Sequence, residues 1–122
     1  MSSRRLRGLC AACALALATS LAGAAAPHYW PARDLDARPQ VRTHVMPEYP
    51  ADLVSGIRGR VVLDLYISAA GTVDLIRVVR AEPPGRFEQA AIKAFKPARF
   101  TPGQRKGAPV RSLMRIEVNF NR

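Results

Sequence analysis

Hydrophobic and polar residues alternate strictly along two segments of the chain. The first covers residues 60–68 and places four apolar side chains on one face: Val61, Leu63, Leu65 and Ile67. The second covers residues 113–120 and places four more on one face: Met114, Ile116, Val118 and Phe120. Alternation with a period of two is typical of a strand with one face buried. The pattern therefore predicts two half-buried strands.

A further strand is predicted over residues 72–81, joined to residues 60–68 by a short turn. Ile76 and Val78 should point towards the core, with charged residues facing water. Val73 is also apolar, but it lies an odd number of residues from Ile76. All three side chains can point inward only if one residue near positions 74–75 is left out of the strand pairing. We therefore expect a β-bulge there.

One helix is predicted between the second and the last strand. Residues 87–95 carry an apolar side and follow a Pro-Pro-Gly break, and Pro97 disfavours helical geometry just before it. One or two further helical turns are expected over residues 50–57. The fold class is α+β: a small three-stranded antiparallel sheet in the order 2-1-3. The main helix covers one face, and the helical turn precedes the first strand.

The last strand would then form an edge of this sheet, with an unpaired row of main-chain N–H and C=O groups. Such an edge can bind an extended peptide by adding it as a further strand. On the face away from the core, Arg115 should favour an acidic residue of the ligand. The candidate peptide-binding residues are Val110, Arg111, Ser112, Leu113, Arg115, Glu117 and Asn119.

The N-terminal residues have the layout of a secretory signal peptide. Three arginines precede an uncharged apolar run over residues 9–21, and Ala22-Gly23-Ala24 supplies small residues before the cleavage point. We expect residues 1–24 to be removed, which places the protein in the periplasm. The alternative is that this run is retained as an inner-membrane anchor. Residues 25–45 are proline-rich and polar, and predict an extended linker.

Composition excludes several functions. Both cysteines, Cys10 and Cys13, lie in the apolar run, so no disulfide or thiolate site is expected beyond it. The formal net charge is +10, but the basic residues are scattered and not interleaved with aromatics, so we expect no nucleic-acid partner. His28 and His44 lie outside the patterned region, so neither enzymatic activity nor a small-molecule substrate is expected. His44-x-Met46 is too small a ligand set to predict a metal site, and no cofactor is expected.

Six short motifs, in order, resemble the C-terminal domain of TonB energy transducers: Pro47-Glu48-Tyr49-Pro50, Gly59-x-Val61, Gly71-x-Val73, Phe87-Glu88-x-Ala90-Ala91, Phe100-x-Pro102-Gly103 and Gly107-x-Pro109-Val110. The resemblance implies a domain of this type over residues 46–122. It further implies a periplasmic module that adds a segment of an outer-membrane TonB-dependent transporter to its sheet edge, in energy-coupled transport across the cell envelope. Full-length transducers also carry a membrane anchor and a long proline-rich spacer, which this linker is too short to match.

Two alternatives remain from the sequence. The same edge could pair with a second copy of the chain, giving a self-associating structural domain of the periplasm with no transport role. If the N-terminal run is not cleaved, the chain would be a short membrane-anchored transducer.

Overall fold

The structure, a computed structural model, describes residues 26–54 and 56–121. The predicted signal peptide lies outside the described residues. Within them the chain forms one α-helix, α1 (Glu88–Phe95). It also forms strands β1 (Trp30–Pro31), β2 (Gln40–Val41), β3 (Gly59–Ile67), β4 (Val73–Glu82), β5 (Phe100–Thr101), β6 (Gly103–Arg105), β7 (Ala108–Val110) and β8 (Ser112–Phe120).

The main sheet has the strand order β1-β8-β3-β4. The three predicted strands occur in the predicted order, because β4, β3 and β8 are the second, first and last of them, and both of their pairings are antiparallel. The prediction of a three-stranded antiparallel sheet is nevertheless wrong. A fourth strand, β1, pairs parallel with β8 and makes the sheet mixed. Two small two-stranded sheets, β2-β5 and β6-β7, complete the fold.

Strand β3 forms the centre of the core. Its inward side chains are all fully buried: Val61, Leu63, Leu65 and Ile67. Phe87 and Ala91, at the start of α1 and within it, are also fully buried and belong to the same apolar cluster. Burial of large apolar side chains is the main source of stability in a domain of this size. The helix and the inward face of β3 therefore hold the sheet together.

Strand β4 is irregular in two places. Its pairing with β3 shifts register between Tyr66 and Ile67, where Asp74 has no partner residue, as the spacing of Val73 and Ile76 predicted. A second shift, between Val62 and Leu63, was not predicted. Ile76 packs against the core as expected.

Val78 lies opposite the buried Leu63, on the inward side of β4. It nevertheless remains 40 % exposed and is not part of the core cluster, which corrects the prediction that it is a core residue.

Two glycines of the motifs are required by close packing. A Cβ atom at Gly59 would overlap the ring of Phe87, and one at Gly71 would overlap the main-chain oxygen of Phe100. Gly71 also has a φ of +88°, which other residues rarely adopt. The N–H of Phe100 donates to the oxygen of Gly71 at 2.8 Å, so this turn is fixed to the segment after the helix.

Helix α1 begins with a carboxylate that binds the preceding loop. Glu88 accepts hydrogen bonds from the N–H of Gly85 at 2.7 Å and from the N–H of Phe87 at 3.2 Å. These main-chain donors hold the pKa of Glu88 below its usual value, and the hydrogen bond from Gly85 has the largest effect. In place of the helical turns predicted over residues 50–57, the described part of that stretch has a turn closed by Leu53 N–H and the Pro50 oxygen.

The segment predicted as a linker lies along the domain and pairs with it at three points. Besides β1 on β8, Ala37 forms an antiparallel bridge with Gln104, and β2 pairs with β5. In addition, the carboxylate of Asp36 accepts a hydrogen bond from the N–H of Lys106 at 2.6 Å. The segment is therefore fastened to the domain from residue 30 to residue 41.

Candidate peptide-binding edge

The outer edge of β8 is free over most of its length. Of the described residues, only those of β1 pair with this edge, opposite Ser112 and Leu113. Beyond that contact, residues 114–120 have a strand partner on their inner side alone, which is β3. We call residues 114–120 the open edge. Its pairing with β3 runs without a register shift, so its main-chain groups are regularly spaced.

The contact with β1 shows which main-chain groups of β8 point outward. The N–H of Trp30 donates to the oxygen of Arg111 at 2.9 Å, on the outer side. Main-chain groups alternate in direction along a strand, so positions 113, 115, 117 and 119 present theirs on the same side. On the open edge, the outward N–H and C=O groups therefore belong to Arg115, Glu117 and Asn119.

The seven candidate residues divide into two groups. The first four are engaged within the chain or lie beside β1. Val110 pairs with Gly103 in the hairpin β6–β7, and Leu113 lies opposite Pro31. Ser112 is fully buried, and its hydroxyl donates to the oxygen of Val110 at 3.2 Å. The side chains on the open edge are exposed: Arg115, Glu117 and Asn119.

The charged side chains beside the open edge are largely paired with each other. Arg115 donates from Nε and Nη2 to the two carboxylate oxygens of Asp64, at 2.8 and 3.1 Å, and this hydrogen bonding raises its pKa further. Arg60 contacts Glu82 at 3.0 Å and Glu117 at 3.8 Å. An acidic ligand residue would thus have to compete with Asp64 for Arg115. The main chain is the freer part of this edge.

The opposite edge of the sheet is β4, and it differs in composition. It exposes three large apolar side chains: Leu75 at 47 %, Val78 at 40 % and Val79 at 44 %. Its two register shifts leave Asp74 and Val79 without a partner residue in β3. Such shifts disrupt the regular spacing that a continuous partner strand needs. We therefore assign the candidate site to β8 rather than to β4.

Two aromatic residues outside the set of candidate peptide-binding residues border the edge. The Tyr29 ring packs edge-on against Tyr66, with centroids 5.1 Å apart, and its hydroxyl donates to Asp74 at 2.8 Å. That hydrogen bond raises the pKa of Tyr29. Trp30 lies under the guanidinium of Arg105, 3.9 Å from the ring centroid. Two adjacent aromatic residues in an otherwise polar segment are the feature of the sequence that points to these contacts.

A groove of about 790 Å³ lies between α1 and residues 44–52. His44, Met46 and Lys93 are among its lining residues, and its walls mix apolar, acidic and basic groups. Over residues 26–54 and 56–121, no three His, Cys, Asp or Glu side chains come together to hold a metal ion.

A family model described as the Gram-negative bacterial TonB protein C-terminal matches residues 45–121, well over half of the chain. The chain belongs to this family. Domains of this type are non-enzymatic protein-interaction modules of the cell envelope, and outer-membrane transporters are their partners. A search of curated protein sequences found no match to the chain. In the described ranges, no helix has the length and apolar character needed to cross a membrane.

The motifs that carry the family resemblance serve mainly to build the fold. Gly59 and Gly71 allow close packing, and Phe87 and Phe100 are core residues. Gly107 has a φ of +78° in the turn between β6 and β7. None of these residues lies on the open edge. The motifs therefore define the scaffold, and the exposed side chains of the open edge lie outside them.

Proposed function

We propose that the domain binds an extended segment of another polypeptide by adding it to β8 as a further strand. The observation that carries this proposal is the open edge itself. Residues 114–120 present evenly spaced outward main-chain groups, and within the described residues these have no strand partner. In strand addition, the main-chain hydrogen bonds supply affinity and alternate side chains supply selectivity.

The proposed partner is the periplasmic N-terminal segment of an outer-membrane TonB-dependent transporter. Family membership supports a protein partner of this type. The bidentate pairing of Arg115 with Asp64 supports an interaction dominated by the main chain. On this account the domain acts without catalysis, and neither nucleic acid nor a small molecule is its partner.

We further propose that the chain is exported and cleaved after Ala24, so that the domain works in the periplasm as part of energy-coupled transport. N-terminal sequencing of the protein recovered from the periplasm should then start at Ala25. Recovery of the Met1-containing chain from inner membranes would instead favour an anchored transducer.

The binding proposal is tested with ten-residue peptides tiled across transporter N-terminal segments, added to the ¹⁵N-labelled chain. We expect the amide signals of Arg115, Glu117 and Asn119 to shift for at least one peptide. Arg115→Pro should reduce that affinity at least 100-fold, because it removes an outward N–H donor. The matched control is Arg115→Ala, which removes the Asp64 pair but keeps the N–H, and it should change affinity less than fivefold.

Two results would overturn the proposal. Equal losses for the proline and alanine variants would mean that the side chain, not the main chain, binds the ligand. If no peptide binds while sedimentation shows a dimer formed through β8, the domain is a self-associating one.

A further inference from the structure

The receiving edge of β8 is already occupied at one end by the chain itself. Strand β1 lies parallel to the start of β8, with Trp30 opposite Ser112 and Pro31 opposite Leu113. The N–H of Trp30 donates to the oxygen of Arg111 at 2.9 Å. We call residues 26–31 the arm. It covers the first outward positions of β8, just before the open edge begins.

Two consecutive aromatic side chains, which point to opposite faces of the sheet, attach the arm to neighbouring strands. Tyr29 lies against Tyr66 on the outer face of the sheet and donates to Asp74 of β4. Trp30 contacts the guanidinium of Arg105 in β6 and, edge-on, the ring of His28, with ring centroids 4.5 Å apart. Both aromatic residues remain half-exposed rather than part of the core.

The strand pairing of the arm ends almost as soon as it starts. Pro31 has no N–H, so it cannot donate to a ladder, and a 3-10 turn at Ala32–Asp34 then leads the chain away. A two-residue strand with such a termination makes few main-chain bonds with β8. The arm is therefore the least firmly paired strand of the main sheet.

The chain after this turn is fastened much more firmly. The N–H groups of Asp36 and Ala37 donate to the oxygen of Gln104 at 2.8 and 3.3 Å, and the Gln104 N–H donates back to Ala37 at 2.9 Å. Pro39 is buried, and β2 pairs with β5. We call residues 36–41 the anchor. Because the anchor makes its own bonds, the arm can leave β8 without releasing the rest of the segment.

We propose that the arm is an exchangeable internal strand that competes with a partner polypeptide for the start of β8. This inference rests on the proposed function, because it concerns the same edge. A partner strand limited to residues 114–120 binds beside the arm, whereas a longer one that also pairs with Arg111 and Leu113 must displace it. The arm thus sets the length and register of the segment that binds most readily.

The first test is amide hydrogen exchange in the unmodified full chain, without any partner. The N–H of Trp30, bonded to Arg111, should exchange at least tenfold faster than the N–H of Ile116, which lies in the β3–β8 ladder. The N–H of Ala37 should exchange more slowly than that of Trp30. If Trp30 and Ile116 differ by less than tenfold, the arm opens only with the whole domain, and the proposal is overturned.

The second test adds a synthetic peptide with the sequence of residues 26–33 to the labelled full chain. In Trp30→Ala the arm is weakened, so the peptide should shift the signals of Leu113 and Tyr66 and bind at least tenfold more tightly than to the unmodified chain. The same peptide with its tryptophan replaced by alanine is the control and should not bind. Similar affinity of the tryptophan peptide for both proteins, or no binding to Trp30→Ala, would contradict exchange.

Neither test uses a transporter peptide, so they can succeed where the proposed function fails. If the arm exchanges but no transporter segment binds, the proposed partner is wrong, and the proposal that the arm is an exchangeable strand is supported. If transporter segments bind and the arm does not exchange, the partner is restricted to the open edge.

Discussion

The main sheet has two stretches with a free outer side, the open edge of β8 and the strand β4, and they are unequally suited to bind another strand. β8 pairs with β3 over nine residues without a register shift, whereas β4 shifts register twice over its length. The more apolar surface lies on β4, where Leu75, Val78 and Val79 are exposed. Exposed hydrophobicity alone would thus select β4. Regular main-chain geometry selects β8, because a strand is added through evenly spaced donors and acceptors.

The irregular edge has a physical use. Bulges and charged side chains are common devices that keep an exposed strand from pairing with other chains. β4 combines both, with its two register shifts and with Arg77 and Arg80 on its surface. β8 lacks a shift but carries the arm at its start. β4 is therefore poorly suited to pairing along its length, whereas β8 is regular and covered only at its start.

The largest expected effect comes from removing the core that supports both edges. Phe87 is fully buried and lies against Gly59 and, stacked, against Phe120 of β8. Phe87→Ala should lower the free energy of unfolding by about 3–5 kcal/mol, measured by urea denaturation. A loss below about 1 kcal/mol would mean that the sheet does not depend on the helix side of the core.

A smaller effect is expected from changing the apolar side chains of β4. The double variant Leu75→Ser, Val79→Ser removes most of the exposed apolar surface of β4 while leaving β8 unchanged. We expect it to change the affinity for a bound transporter peptide less than twofold, measured by calorimetric titration. A loss of tenfold or more would move the binding site to β4.

A pH-dependent effect is expected at Glu88. Its pKa is lowered in the folded protein by hydrogen bonds from the Gly85 and Phe87 N–H groups. A lowered pKa adds stability that is fully present above the ordinary pKa of a glutamate, about 4.3, and is lost as the pH falls through the folded value. Between pH 5 and pH 3 the free energy of unfolding should therefore fall less in Glu88→Gln than in the unmodified chain. The difference between the two falls should be about 1 kcal/mol or less, measured by urea denaturation at each pH. Identical pH profiles would show that these bonds do not form.

The smallest effect concerns the arm at alkaline pH. The hydrogen bond to Asp74 raises the pKa of Tyr29, so the arm is favoured below the ordinary tyrosine pKa, about 10, and weakened as the pH rises through the folded value. The fluorescence of Trp30, the single tryptophan of the chain, should report this loosening. In Tyr29→Phe the change between pH 9 and pH 11 should be smaller. If Tyr29→Phe shows the same fluorescence change as the unmodified chain, the environment of Trp30 does not depend on the hydrogen bond between Tyr29 and Asp74.

The regular parts of this fold could be predicted from periodicity because their side chains face a continuous core. The alternation of β3 and β8, the helix and the first bulge of β4 all follow from which residues must be buried. Strand β1 could not be predicted, because two residues show no period and Pro31 is a poor strand residue. β1 pairs with a strand that lies about 80 positions further along the chain. The side chains of Tyr29 and Trp30 support this pairing through contacts with Tyr66 and Arg105, which the sequence pattern does not show.

The outer side of β8 is free over residues 114–120, as expected for an edge, but β1 covers its start. That this edge binds a peptide stays a prediction. The sequence identified β8 as an edge, yet Ser112 looks like an ordinary polar edge residue and is in fact fully buried against Gly103. Likewise, nothing in the pattern shows that Arg115 is held by Asp64, since that contact depends on the register between β3 and β8.

The central claim is that β8, and not β4, receives the partner strand. It is tested most directly by amide hydrogen exchange at both edges, in the same sample, with and without a saturating transporter peptide. We predict at least tenfold slower exchange at Arg115, Glu117 and Asn119 when the peptide is bound, with the outward amides of β4 unchanged. Slower exchange along β4 with no change at these three residues would contradict the account.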